Sequence, residues 1–151
     1  TPSGLFKITT SFGLLETANL NHPLLKKLML NAPGTYQHSL MVANLSEAAA
    51  ESIGADVILT RIGAYFHDIG KMKRPIFFSE NQFSTGNPHD SLSPRMSKMI
   101  ISAHPKDGVE MAQKYKLPQI LQDFIMEHHG TSLVSFFYDI AKCRFFGTLW
   151  L

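Results

Sequence analysis

Apolar residues recur at three- and four-residue spacing along most of the chain, and strict alternation is sustained nowhere. That periodicity predicts helices rather than strands. Ile8, Phe12, Leu15 and Leu20 predict a short helix over Lys7–Leu20. Asn21-His22-Pro23 reads as a helix start, with Asn21 as N-cap and His22 structural or solvated. Leu24, Leu25, Leu28 and Met29 then form one apolar face, and Lys26-Lys27 the wet one. Asn31-Ala32-Pro33-Gly34 predicts a break. A long helix is expected over Thr35–Ile53, with Leu40, Val42, Ala43, Leu45 and Ala48-Ala49-Ala50 giving a wide face of mostly small residues. Gly54 suits its C-terminal stop. Asp56 can cap the next helix, Val57–Asp68, whose apolar positions are Val57, Ile58, Ile62, Tyr65 and Phe66.

The pattern then lapses. Pro75 to Pro94 holds Pro75, Pro88 and Pro94, a glycine at Gly86 and several Asn, Ser and Thr residues. It predicts a long connection with one helical turn at Ile76–Phe78, and such long loops are often functional. Ser93-Pro94 opens a helix with Met96, Met99, Ile100 and Ile101 apolar. It is expected to end near His104-Pro105, because proline disfavours the α conformation in the residue before it. Pro105 would then open a second helix, Lys106–Tyr115. Gln119–His129 follows, with Ile120, Leu121, Phe124 and Ile125 inward, and Ser132–Lys142 makes a last aromatic-rich helix. The expected fold class is all-α, a helical bundle without internal repeats.

Composition narrows this picture only slightly. The chain has 151 residues, 44% hydrophobic and 17% charged, which suits one domain with a substantial core. A net charge of +2 is too small to point to nucleic acid or a membrane surface. The single cysteine, Cys143, permits no internal disulfide and fits a reducing compartment. No run reaches the ~18 apolar residues of a membrane span. The chain starts at Thr1-Pro2, and a fragment of a longer protein is expected.

Candidate chemistry centres on His67-Asp68, at the end of the apolar run Ile62–Phe66. A neutral imidazole and a carboxylate can share one ion, and the second carboxylate oxygen is free for another. Further candidates stand at predicted helix ends or first turns: His38, His104 and the pair His128-His129. Any one alone is more often a satisfied core or surface histidine. Together with Asp68 they exceed one tetrahedral ion and suit two ions bridged by Asp68 and a water. Such a pair lowers the pKa of the water and stabilises an attacking oxygen. Lys71 and Lys73-Arg74 follow at once, either as a solvated basic cluster or as an attraction for phosphate. His89-Asp90, a second such dipeptide, is read as stabilising its loop.

The pattern H…HD…H…HH resembles the HD-domain metal-dependent phosphohydrolases. Four stretches resemble one branch more closely: Ala32-Pro33-Gly34-Thr35-Tyr36-Gln37-His38-Ser39, His67-Asp68-Ile69-Gly70-Lys71, Asn87-Pro88-His89-Asp90 and Glu127-His128-His129-Gly130-Thr131. That branch is the intracellular HD domain of bacterial seven-transmembrane-receptor HD proteins, which hydrolyse cyclic di-AMP. The resemblance covers roughly Thr10 to Tyr138. It implies two divalent metal ions, Fe or Mn, with Zn or Ni able to fill the site adventitiously. His38, His67 and Asp68 would hold the first, and Asp68, His104, His128 and His129 the second. It implies that a hydroxide activated by both ions attacks a phosphodiester in line and releases linear pApA. Asp68 would also orient the hydroxide, and Lys71 would contact phosphate or assist the leaving group. The chain would be a single HD domain over 1–151. Helices over 1–30 would lead into it. It would be a cytoplasmic domain of a bacterial inner-membrane protein, meeting the membrane only through an upstream region absent here.

One departure from the family pattern bears on activity. The pattern ends in an Asp well beyond the double histidine, which completes the first metal position. Here Asp139 comes too early, and the tail over 143–151 does not match the family, so a truncated domain with a weaker first position is expected. Phe145, Phe146, Leu149, Trp150 and Leu151 suit an oligomer contact, such as a homodimer, or an aggregation-prone surface. Alternatives remain within and beyond enzymes: an HD nucleotidase or diadenosine-polyphosphate hydrolase, and a catalytically impaired sensor that binds metal or nucleotide without turnover. The cyclic di-GMP branch fits less well, because Gly130-Thr131-Ser132-Leu133 stands where that branch has Gly-Tyr-Pro.

Overall fold

The structure is a computed structural model that describes residues 19–83 and 86–132. Five α-helices carry the fold: α1 (Pro23–Asn31), α2 (Pro33–Ile53), α3 (Val57–Phe66), α4 (Pro94–Lys114) and α5 (Gln119–Glu127). Between α3 and α4 the chain runs through short 3₁₀ turns at Ile69–Lys73, Pro75–Phe77, Ser79–Asn81 and Pro88–Ser91. Among the described residues there is no strand, as the periodicity predicts. The helices expected over Lys7–Leu20 and Ser132–Lys142, and the tail over 143–151, lie essentially outside the described residues.

Local chemistry explains most boundaries. Asp56 caps α3, its Oδ1 accepting from the Leu59 N–H at 2.9 Å. Ser93 caps α4, its Oγ accepting from Met96 N–H at 3.3 Å, with Pro94 in the first turn. Gly54, left-handed at φ 70°, ends α2.

Three expectations need correction. The cap of α1 is His22, not Asn21; its Nδ1 accepts from Leu24 N–H at 3.2 Å, and its ring meets Phe66 edge-on at 5.3 Å. The break over Asn31–Gly34 shrinks to Ala32, because Pro33 needs no N–H donor in the first turn of α2. Most notably, α4 does not end at His104 but runs through Pro105 to Lys114. The missing amide of Pro105 is compensated by a side chain, described below.

The core joins all the helices. Leu24, Leu25 and Leu28 of α1 pack with Ile62 and Phe66 of α3, Ile69 of the first 3₁₀ turn, and Leu121 and Ile125 of α5; all are at most 1% exposed. Burying such side chains stabilises the fold by about 1.5–3 kcal/mol each. The turn at Ile69–Lys73 lies flush on α4. A Cβ on Gly70 would stand 1.9 Å from the His104 carbonyl oxygen and 2.5 Å from Gly108 N. Only a glycine allows that approach, two residues after Asp68 and against the backbone of His104.

Candidate metal centre

Asp68 is the hub. It follows the C-terminal end of α3, is 2% exposed, and turns its two oxygens in different directions. Oδ2 faces His67 Nε2 at 3.1 Å, His38 Nε2 at 3.7 Å and Lys71 Nζ at 2.9 Å. Oδ1 faces His104 Nε2 at 3.3 Å and His128 Nε2 at 3.4 Å. His129 Nε2 approaches His104 Nε2 to 3.0 Å. The structure thus gathers every candidate metal ligand of the sequence into two groups that share Asp68: His38, His67 and Asp68; and Asp68, His104, His128 and His129. Within each group the ligand atoms lie within 4.8 Å of one another.

One backbone device orients three of the histidines. His67 Nδ1 meets the Ala64 carbonyl at 2.7 Å, and His128 Nδ1 meets the Ile125 carbonyl at 2.9 Å. Both carbonyls belong to the last turn of a helix, where no amide follows to take them. His104 does the same in mid-helix, its Nδ1 meeting the Ile101 carbonyl at 2.5 Å. A carbonyl can only accept, so each Nδ1 carries the proton and each Nε2 presents a lone pair.

That assignment tests whether these residues fit a cation. With Nε2 unprotonated on His104 and His128, Asp68 Oδ1 faces lone pairs, and it is a buried oxygen without a hydrogen-bond donor. Acceptors crowded around a buried carboxylate oxygen are unfavourable without positive charge between them. A set of imidazole nitrogens and a carboxylate is the donor chemistry of a divalent transition metal. The residues fit.

The electrostatics make the same demand for positive charge at this point: burial alone would raise the Asp68 carboxyl, and only protons on the Nε2 atoms of His104, His128 and His67, standing where a cation would, hold it below the usual carboxylate range. His129 is largely exposed, but partial desolvation, with His128 and His104 beside it, lowers it to about 4, which keeps it neutral. Burial would also lower Lys71, yet Asp68 and Glu80 outweigh it and keep the ammonium charged.

The other candidates fall elsewhere. Lys73 bonds Asp107 at 2.9 Å and Glu110 at 2.6 Å, and Arg74 bonds Asp107 at 3.0 Å, so this cluster is neutralised on α4 rather than turned toward phosphate. His89 Nε2 meets the Phe77 carbonyl at 2.8 Å, and Asn87 caps its turn, in keeping with a loop role. The sequence reading missed Glu80, which bonds Lys71 at 2.8 Å. The one available signal was its place within the long connection already marked as functional.

These features define a helical domain with a histidine-rich cluster around one buried carboxylate, a donor set suited to divalent cations. The HD domain family model matches residues 35–144, and the chain belongs to that family. It is 56% identical over 137 residues to the cyclic-di-AMP phosphodiesterase PgpH of Bacillus subtilis, covering 91% of this chain and 19% of that protein. It is 51% identical over 138 residues to the PgpH of Listeria monocytogenes, with the same coverage of 91% and 19%. The crystal structure of the L. monocytogenes PgpH HD domain in complex with cyclic di-AMP superposes with a TM-score of 0.79 at 53% identity, covering 82% of this chain and 58% of that one. The chain therefore spans only about a fifth of the length of these curated relatives.

Proposed function

We propose that this domain is a metal-dependent phosphodiesterase that hydrolyses cyclic di-AMP to linear pApA. The observation that carries the reading is Asp68, whose two oxygens face two separate sets of histidine nitrogens. Its likeness to PgpH, and to a PgpH HD domain holding cyclic di-AMP, supplies the substrate class. In this reading His38, His67 and Asp68 hold one divalent ion, and Asp68, His104, His128 and His129 the other. Iron or manganese fits this mixed nitrogen and oxygen set; zinc or nickel would bind adventitiously. When bound, the ions supply Lewis acidity toward phosphate and lower the pKa of a water. The protein does the rest. The carbonyls of Ala64, Ile101 and Ile125 hold three imidazoles in one tautomer, the ionised Asp68 orients the water, and Lys71 places an ammonium where charge builds on the phosphate. Water oxygen bonds to phosphorus, one P–O3′ bond breaks, and the departing oxygen takes up a proton.

Hydrolysis of cyclic di-AMP with added Mn²⁺, with metal content read on the same sample, tests this. Release of pApA that Asp68→Ala abolishes is expected. Two metals bound without turnover of any cyclic dinucleotide would sink the reading and favour a sensor instead. One observation speaks for that second reading: among the described residues the group around His38 offers only three donors, and the His38 side chain is 45% exposed.

We further propose that the domain is the cytoplasmic part of a bacterial inner-membrane protein. Among the described residues no helix is long and apolar enough to cross a membrane. Support comes instead from the much longer relatives, and fractionation of the full-length protein with membranes tests it. Self-association as a homodimer is tested by light scattering.

A further inference from the structure

A directed chain of hydrogen bonds runs from the start of α2 into the centre. The Asn81 side-chain amide donates to Thr35 Oγ1 at 2.8 Å, and Thr35 Oγ1–H donates to Glu80 Oε1 at 3.0 Å. Glu80 Oε1 also accepts from Lys71 Nζ at 2.8 Å, and Lys71 reaches Asp68 Oδ2 at 2.9 Å. Asn81 Oδ1 closes the clasp by accepting the Thr35 N–H at 3.1 Å. Thr35 and Asn81 are buried, at 0% and 5% exposure. The two segments touch so closely that a Cβ on Gly34 would stand 1.8 Å from the Glu80 carbonyl oxygen. The Lys71 ammonium also sits 5.0 Å over the ring of Phe78.

Glu80 belongs to neither group of metal donors. Its charge matters because Asp68, which faces both donor groups, would share its Oδ2 between Lys71 and a bound cation. Cations drawn to Asp68 Oδ2 repel an ammonium beside it, and at these distances in a half-buried site the repulsion is strong. Glu80 gives that ammonium a second carboxylate that lies outside the donor set. We propose that Glu80 is a positioning residue: it holds Lys71 beside the reacting phosphate, and Thr35 with Asn81 fixes Glu80. The inference rests on the reading of Lys71 as a phosphate-facing group.

A double-mutant cycle tests it, with Glu80→Gln, Lys71→Met and the double variant. Each is measured for metal content, for kcat and KM on cyclic di-AMP and on bis(p-nitrophenyl) phosphate with Mn²⁺, and for melting temperature without metal. Glu80→Gln is expected to lower kcat by about tenfold with metal content kept and KM little changed. In the Lys71→Met background it should cost nothing further, and the melting temperatures should be non-additive in the same sense. Thr35→Val, which keeps the Glu80 charge but frees the side chain, should give a smaller fall in the same direction and serves if Glu80→Gln does not fold. Wild-type kcat in Glu80→Gln, or an additive fall in the double variant, overturns the proposal while leaving the phosphodiesterase reading intact. A wild type that binds Mn²⁺ but turns over neither phosphodiester overturns that reading, and the role of Lys71 with it. Turnover of the second ester alone removes only cyclic di-AMP as substrate.

Discussion

His104 holds the carbonyl of Ile101 with its Nδ1, 2.5 Å away, and this is the carbonyl that the amide of residue 105 would take in an uninterrupted helix. Pro105 has no amide, so the carbonyl is left to the imidazole. The same proline that weakens α4 thereby sets the tautomer of a candidate ligand.

Pro105→Ala should separate these two effects. A restored amide strengthens the helix, since an interior proline costs about 3 kcal/mol against alanine, so the metal-free protein should melt higher. The amide also competes for the Ile101 carbonyl and loosens His104. Loss of such an orienting partner costs about 10–100-fold in metal affinity. Stability up and Mn²⁺ affinity down is the expected pair, read by thermal melting and titration calorimetry. Equal or tighter metal binding would show that His104 needs no help from Pro105.

Gly70 poses the opposite case, where stability and metal binding fall together. A methyl there would run into the backbone at His104 and Gly108, which cannot yield as a side-chain tip could. Gly70→Ala should destabilise the fold by about 1–3 kcal/mol and draw Asp68 away from His104. Gly54→Ala is the control. Its Cβ meets nothing, so only the left-handed backbone at φ 70° costs stability, about 1–2 kcal/mol, and metal content should not change. Metal content unaltered in Gly70→Ala would show that this contact does not position Asp68.

The sequence carried the bundle well because each helix has a buried face of regular spacing, and because the caps at Asp56 and Ser93 and the stop at Gly54 are local chemistry. It carried the candidate donors because their motifs stand side by side in short stretches. It misled at Pro105, where the usual bias against helix before proline was overcome by one imidazole and by the tight seating of Ser97, Gly108 and Ala112, all buried in α4. It left Lys73-Arg74 open between a solvated cluster and an attraction for phosphate, since nothing local announces the acids Asp107 and Glu110. Glu80 stood out only by its place in the long connection, because its partner Thr35 lies 45 residues away and only the folded chain brings them together.

The two donor groups predict metal binding in two classes. The group at His104 offers four donors, two of them buried; the group at His38 offers three among the described residues, with His38 exposed. Mn²⁺ should fill the first more tightly. His104→Ala should remove the tight class and His38→Ala the weak one. Asp68→Ala should remove both, because each group includes it. Two equal sites, or a tight class that survives His104→Ala, would contradict the assignment. Equilibrium dialysis with elemental analysis reads all three variants.

Acid should weaken the metal-free fold through His129. Partial desolvation, with His128 and His104 nearby, lowers its pKa to about 4, against 6.5 for an unperturbed histidine. Between those values the unfolded chain binds a proton that the folded chain refuses, so stability falls as pH drops through that window. His38, though exposed, is lowered by partial desolvation despite Asp68 and acts with the same sign. His67 acts oppositely: burial would lower it, but Asp68 raises it, so its contribution is full below 6.5 and fades as pH rises through its folded value. His129→Gln should therefore flatten the acid limb relative to wild type. Melting temperatures of chelator-treated protein across this window make the comparison. Carboxylates elsewhere titrate alike in both proteins, so an unchanged difference between them at every pH would remove His129 as the source.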